Sequence, residues 1–407
     1  MYARSRMDAV APRATPRPAI VRSAMGGVFL LGCLVALMGA LFPVWAYYVD
    51  FDPGTAGSYF LAFNLGVFTA AMASRGILEK LGMRRLLVTA CLATSAAMFA
   101  LAAILSPTAL VLPFIVLGFA AGMLTTGVSW MLFDAMSAPM AGVLLSLAGV
   151  FFGCGAVCFT LLIWATVHTL SAPNILRLTA VLPLGLAVLY LGQKSLAQPA
   201  LKVARPFRLS IRATASPAAV LLSLALFFQS GNEWALGGWL AIYLIRRLGV
   251  RSETALLSLA FYWAMLTLGK LLAPRCAWSE SPFRLLSASA AASLFGCLLL
   301  LSTTGAEGAA AGVLFTGLGL GAAASVVLGM IGERFPHYHP GFFNGLFSFS
   351  LVGGMLAPWL IGQLADAWVI QWAIGIPALG ALLVYLLLCA FLLEMRIAGS
   401  SRPISSS

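Results

Sequence analysis

The segment Leu221–Ile245, LLSLALFFQSGNEWALGGWLAIYLI, is long enough to cross a bilayer and carries one acid, Glu233, among mostly apolar neighbours. A hydrocarbon core about 30 Å thick takes roughly 20 residues of α-helix to span. Within it only helices and closed barrels satisfy their own backbone. An acid at such a depth costs about 2.5–3.5 kcal/mol even on the lenient insertion scale, so Glu233 is expected to face the protein interior or a watered cavity and to carry function.

The rest of the chain is of the same kind. Of 407 residues, 61% are hydrophobic and 9% charged, and the mean hydropathy is +1.00. Apolar runs recur along the whole length without the period-two alternation of an outer-membrane barrel. They predict helices near 24–49, 55–77, 84–105, 109–133, 142–166, 174–196, 217–245, 254–274, 284–304, 308–332, 341–365 and 368–394. The expected fold is therefore an all-α membrane protein with twelve transmembrane helices.

The net charge of +12 could suggest a nucleic-acid partner, but its distribution is topological. Twelve crossings put both termini on one side, and 20 of the 24 Lys and Arg residues then fall there; Arg177, Arg246, Arg247 and Arg251 fall on the other. By the positive-inside rule both termini are cytoplasmic. We expect a multi-pass protein of a bacterial cytoplasmic (inner) membrane, monomeric, with anionic lipid as a neighbour and no nucleic acid. The seven cysteines lack disulfide or zinc spacing, and His168, His337 and His339 sit near loops. Without a nucleophile-base-acid set, a P-loop or a metal cluster, the sequence points away from an enzyme and implies no cofactor.

The chain divides in two. Residues 197–216, AQPALKVARPFRLSIRATAS, are polar, basic and broken by proline, as a cytoplasmic linker would be. The expected organisation is a basic tail (1–23), a six-helix bundle (24–196), the linker, a second six-helix bundle (217–394) and a tail (395–407). Internal similarity supports it. Ser74-Arg75 through Glu79-Lys80 after the second helix is echoed by Gly269-Lys270 through Arg275 after the eighth. Gly122 precedes Asp134 at the spacing by which Gly321 precedes Glu333. Such duplication is typical of secondary transporters, whose halves rock about a midplane site.

Residues 75–86, RGILEKLGMRRL, resemble the loop signature of the major facilitator superfamily, with Glu79, Lys80, Gly82, Arg84 and Arg85 at its acidic, basic and glycine positions. Asp134 matches the acidic partner of that loop. The resemblance implies two pseudo-symmetric six-helix bundles and a cytoplasmic gate of Arg75, Glu79, Arg84, Arg85 and Asp134, with Lys270 and Glu333 as its echo. Residues 227–243 (FFQSGNEWALGGWLAIY), 261–271 (FYWAMLTLGKL), 317–321 and 353–366 (GGMLAPWLIGQLAD) are similar to the fucose/glucose-type sugar transporter branch.

The polar and aromatic groups inside the predicted helices give the candidate substrate site: Asn64, Gln229, Asn232, Glu233, Trp239, Tyr262, Trp263 and Asn344. Gln229 and Glu233, four apart, share a helix face. A carboxylate and amides beside aromatic rings suit the paired donors and acceptors of a sugar. Glu233 is the expected proton-coupling residue and its only ionisable group at that depth. The favoured function is alternating-access transport of a small polar solute, a neutral sugar above others, coupled to a proton. Alternatives are efflux of amphipathic or cationic compounds, transport of an organic anion drawn by Arg246 and Arg247, and a non-transporting membrane receptor or scaffold. Clustered glycines (Gly118, Gly122, Gly149, Gly153, Gly155, Gly317, Gly319, Gly321, Gly353, Gly354) are expected to bring helices four, five, ten and eleven into close contact. Pro43, Pro183, Pro358 and Pro377 are expected to kink their helices.

Overall fold

The structure, a computed structural model, describes residues 18–45, 52–104, 106–135, 141–193, 217–276, 282–334 and 345–400. The regular elements among them are all helical: α1 (Pro18–Trp45), α2 (Pro53–Ala103), α3 (Val111–Ala135), α4 (Ala141–Thr166), α5 (Ala172–Thr179), α6 (Val181–Gly192), α7 (Pro217–Leu248), α8 (Ser252–Cys276), α9 (Pro282–Ser302), α10 (Ala306–Arg334), α11 (Gly345–Ala367) and α12 (Trp372–Ser400). The second and third predicted segments are the two arms of α2, which turns at Gly82 (φ 75°, ψ 164°). That backbone conformation is open chiefly to glycine. The sixth segment is divided into α5 and α6 three residues before Pro183, whose missing N–H cannot continue the ladder. Among the described residues ten segments are long and apolar enough to span a membrane on hydropathy alone. α7 is not one of them, because the polar Gln229–Glu233 cluster lowers its hydropathy.

Glycines dock the helices of each half in the same pattern. α4 lies on α1 so closely that a Cβ on Gly155 would stand 2.0 Å from the Phe29 carbonyl oxygen. α11 lies on α7 likewise, with Gly353 2.0 Å from the Phe227 oxygen by the same measure. α3 approaches the first arm of α2 through Gly118, 1.8 Å from the Phe63 oxygen, and α10 approaches α8 through Gly321, 2.0 Å from the Leu266 oxygen. The fold is thus two pseudo-symmetric six-helix bundles. The expected mutual packing of helices four, five, ten and eleven is corrected: Gly118, Gly155, Gly321 and Gly353 each dock on another member of their own half, Gly153 faces Thr267 of α8 in the other half, and among the described residues nothing stands within 4 Å of a Cβ placed on Gly149. Backbone contact without side-chain bulk is what holds helices together where lipid removes the hydrophobic drive.

The apolar interior divides unevenly. One cluster runs from the first half through Trp239, Leu240 and Tyr243 of α7 and Leu256 and Leu259 of α8. A second, built from Leu222, Leu226, Leu286, Val327 and Leu388, belongs to the other end of the second half. The two halves therefore share a core at the end where α1 gives way to α2, and the second half keeps a separate core at the opposite end.

Candidate functional site

Glu233 does not stand alone. Lys270 on α8 donates from Nζ to Glu233 Oε2 at 2.9 Å. The side chains are 19% and 25% exposed for Glu233 and Lys270, respectively, so both reach open space. This corrects two expectations: a cation does reach the depth of Glu233, and Lys270 pairs with it rather than lying at a cytoplasmic gate with Glu333. The hairpin register explains the meeting. α7 and α8 are antiparallel about a turn in which Gly249 adopts φ 64° and returns its N–H to the Ile245 carbonyl. Glu233 lies about 15 residues before the end of α7 and Lys270 about 18 after the start of α8, roughly 22 and 27 Å at about 1.5 Å per residue. A lysine stem spans the difference. Counting from the turn was the signal that could have found the pair.

Around it the groups are ordered. Gln229 donates to the Leu320 carbonyl of α10 at 2.8 Å and lies 3.4 Å from Glu233 Oε1. Tyr262, fully buried, donates to the Glu233 backbone carbonyl at 3.3 Å and so fixes α8 against α7. The Lys270 ammonium also stands 5.7 Å from the centre of the Phe152 ring on α4, a cation over an aromatic face contributed by the other half. Neighbouring Trp234 meets Phe63 of α2, ring centres 5.8 Å apart. Phe152, Trp234 and Phe63 were not among the candidates; apolar rings in apolar helices give no sequence signal.

Other candidates are placed elsewhere. Asn232 is buried against α12, and the orientation of its amide that satisfies its surroundings has the nitrogen donating to the Phe228 carbonyl at 3.2 Å and the oxygen accepting from the Ala381 N–H at 3.1 Å. Asn64 is buried and donates to Phe60 of its own helix at 3.0 Å. Trp263 is buried with its ring over Gly237. Trp239 is buried and donates to the Pro358 carbonyl at 3.0 Å. Asn344 lies outside the described residues. Glu79, Arg84 and Arg85 are exposed beside the Gly82 turn, and only the helical backbones of Arg75, Asp134 and Glu333 are described.

One end of the site is shut. A Cβ on Gly39 of α1 would stand 1.9 Å from the Gly237 carbonyl oxygen of α7, and one on Gly57 of α2 would stand 3.0 Å from Gly362 Cα of α11. Phe60 packs against Gly238 and Trp239. Gln363 donates across the halves to the Gly54 carbonyl at 3.1 Å. At the rim His168 Nε2, beyond α4, touches Glu253 Oε1 in the first turn of α8. Outside this plug lies a cavity of about 230 Å³ bordered by Phe42, Asp52, Ile242, Arg246 and Ser252. Glu233 sits one helical turn to the other side of the Gly39–Gly237 contact, beyond the plug.

Comparison with known proteins agrees with this architecture. The Major Facilitator Superfamily profile matches residues 24–351. A D-xylose-proton symporter structure superposes with a TM-score of 0.76 at 14% identity, covering 93% of this chain and 98% of the symporter. The nucleoside transporter NupG gives 0.71 at 12% identity, covering 92% and 99%. The fucose:proton symporter FucP of E. coli, as a point variant, gives 0.63 at 18%, covering 91% and 98%. Among curated proteins no sequence relative is found. The match over most of the chain and the paired six-helix bundles place this protein in the major facilitator superfamily.

Proposed function

We propose that the protein carries a small polar solute across the membrane by alternating access, driven by protons, with the Glu233–Lys270 pair as the coupling element. The observation that carries this reading is the pair itself: an ion pair between the apolar helices α7 and α8, partly exposed, touching the other half through Phe152. Protonating Glu233 removes the charge that holds Lys270, so a proton arriving at this point changes a contact between the halves. Differential contact of this sort lets a ligand bias one conformation over another. The shared core and glycine contacts at one end make this the state closed on that side. With the termini in the cytoplasm of a bacterial cell, as the distribution of basic residues supports, the closed side is the outer one.

The expectation that the solute is uncharged rested on Glu233 being the only ionisable group at its depth, and Lys270 removes that premise. Efflux of cationic compounds is disfavoured for a related reason, since a cation would have to displace Lys270 from Glu233. The test is uptake into proteoliposomes under an imposed pH gradient. Glu233→Gln is expected to preserve the fold and to lose gradient-driven accumulation. A variant that still accumulates solute in response to the pH gradient excludes Glu233 as the coupling acid.

A further inference from the structure

We propose that the Glu233–Lys270 pair is an exchange site for a small organic monocarboxylate, whose carboxylate replaces that of Glu233 on Lys270 when Glu233 carries a proton. The inference rests on the reading of Glu233 as the coupling acid and adds the substrate class.

Three observations lead to it. First, among the described residues Glu233 is the acidic partner of Lys270, and of the helices that pack on α7 (α1, α8, α10, α11 and α12) it is α8 that brings Glu233 a charged side chain, Lys270, while Tyr262 turns its hydroxyl to the backbone carbonyl. Second, the protonated pair cannot satisfy itself. A carboxylic acid no longer balances the ammonium, whose remaining side-chain neighbour among the described residues is the Phe152 ring, and a partly buried charge is less stable without a counter-charge than with one. Third, both side chains are partly exposed, which leaves the pair an approach for a small anion. One cation matches one negative charge, which selects a monocarboxylate over a dianion. Phe152 stands over Nζ, and Trp234, the residue after Glu233, meets Phe63; to these rings we assign the body of such a molecule.

The charge count also enforces coupling. A proton without the anion leaves Lys270 unbalanced, and the anion without the proton sets two carboxylates against one ammonium. Only the empty pair and the doubly occupied site are electrically balanced. Proton and anion enter from one side and leave on the other, no net charge is moved, and the Glu233–Lys270 bond re-forms once both have gone.

The experiment is chemical rescue with acetate as the probe. Full-length wild type, Glu233→Ala, Glu233→Gln and the double variant Glu233→Ala/Lys270→Gln are unfolded thermally in detergent, in sodium acetate or in sodium chloride of equal ionic strength. At neutral pH acetate is expected to raise the Tm of both single variants above the chloride value and to leave wild type unchanged; on acidification wild type gains the same response. Loss of the charged partner should weaken acetate binding by about tenfold or more in the double variant. If Glu233→Ala does not fold, Glu233→Gln carries the test. No acetate response in the single variants, or an equal response in the double variant, overturns the inference. Cysteine accessibility at the closed end, followed against pH without acetate, separates the two layers. A pH response present in wild type and absent in Glu233→Gln leaves the coupling reading standing while the exchange falls. No pH response in wild type overturns both.

Discussion

Lys270 and Glu233, 37 positions apart in sequence, meet at 2.9 Å across an antiparallel helix hairpin, and the ammonium of the pair lies over Phe152 of the other half. The pair thus belongs at once to the packing of the second half and to its contact with the first.

Breaking this pair from one side should cost more than removing it. Lys270→Met leaves a carboxylate without its cation, whereas Lys270→Met with Glu233→Met leaves neither charge. For partly exposed partners we expect a loss of about 1–3 kcal/mol for the single change and a smaller one for the double. Thermal unfolding of the four proteins gives the coupling energy directly. Additive losses would mean that the pair contributes no interaction.

The Gly39–Gly237 contact leaves no space for a side chain, because the obstructing atom is a backbone oxygen 1.9 Å from the added Cβ. Gly39→Val should therefore hold α1 away from α7 and favour the state open at this end. Labelling of a cysteine placed at Phe60 should rise by about tenfold as the population shifts. His168→Ala removes only a solvent-screened surface contact and should shift the same readout by no more than a few-fold. Labelling unchanged in Gly39→Val would show that this contact does not gate access.

Asn232 faces α12 and Gln229 faces the pair, although they lie on one helix three residues apart. Asn232→Ala is expected to lower stability by about 1 kcal/mol, the scale of an interhelical hydrogen bond, with solute affinity unaltered. Gln229→Ala should alter affinity and its pH profile. Isothermal titration and thermal unfolding of both variants distinguish the roles, and a reversed result would move Asn232 into the binding site.

Asp52 caps α2 by accepting from the Thr55 N–H at 2.5 Å, and that bond holds its carboxyl below the ordinary carboxylate range. A depressed folded-state value means that the contribution is present above the unfolded value and lost as pH falls through the folded one. Asp52→Ala should cost about 1 kcal/mol at neutral pH. The Tm difference from wild type should close in strong acid; a pH-independent difference would show that the charge plays no part.

Much of the fold was legible because its signals are local. Apolar run length marked the helices, Gly82 marked the turn within α2, and the repeated spacing of Gly122 and Gly321 ahead of Asp134 and Glu333 marked the duplication. In the structure those two glycines occupy corresponding contacts, Gly122 on the first arm of α2 and Gly321 on α8. The site was legible only in part. Glu233 was found because an acid in an apolar helix is conspicuous in one dimension, and Gln229 because a spacing of four places it on the same face.

By itself the sequence determined the class, the crossings and the acid, since each follows from the cost of putting polar groups into hydrocarbon, which is paid residue by residue. Only the tertiary structure decided what the acid meets. Whether Lys270 ends at a helix terminus or at Glu233, whether Asn232 faces a solute or α12, and that Trp239 anchors α11 while bordering the outer cavity all depend on helix rotation and register. Those are set by close glycine contacts such as Gly353 on Phe227 and Gly321 on Leu266. Such contacts join residues far apart in the chain, and no local pattern encodes them.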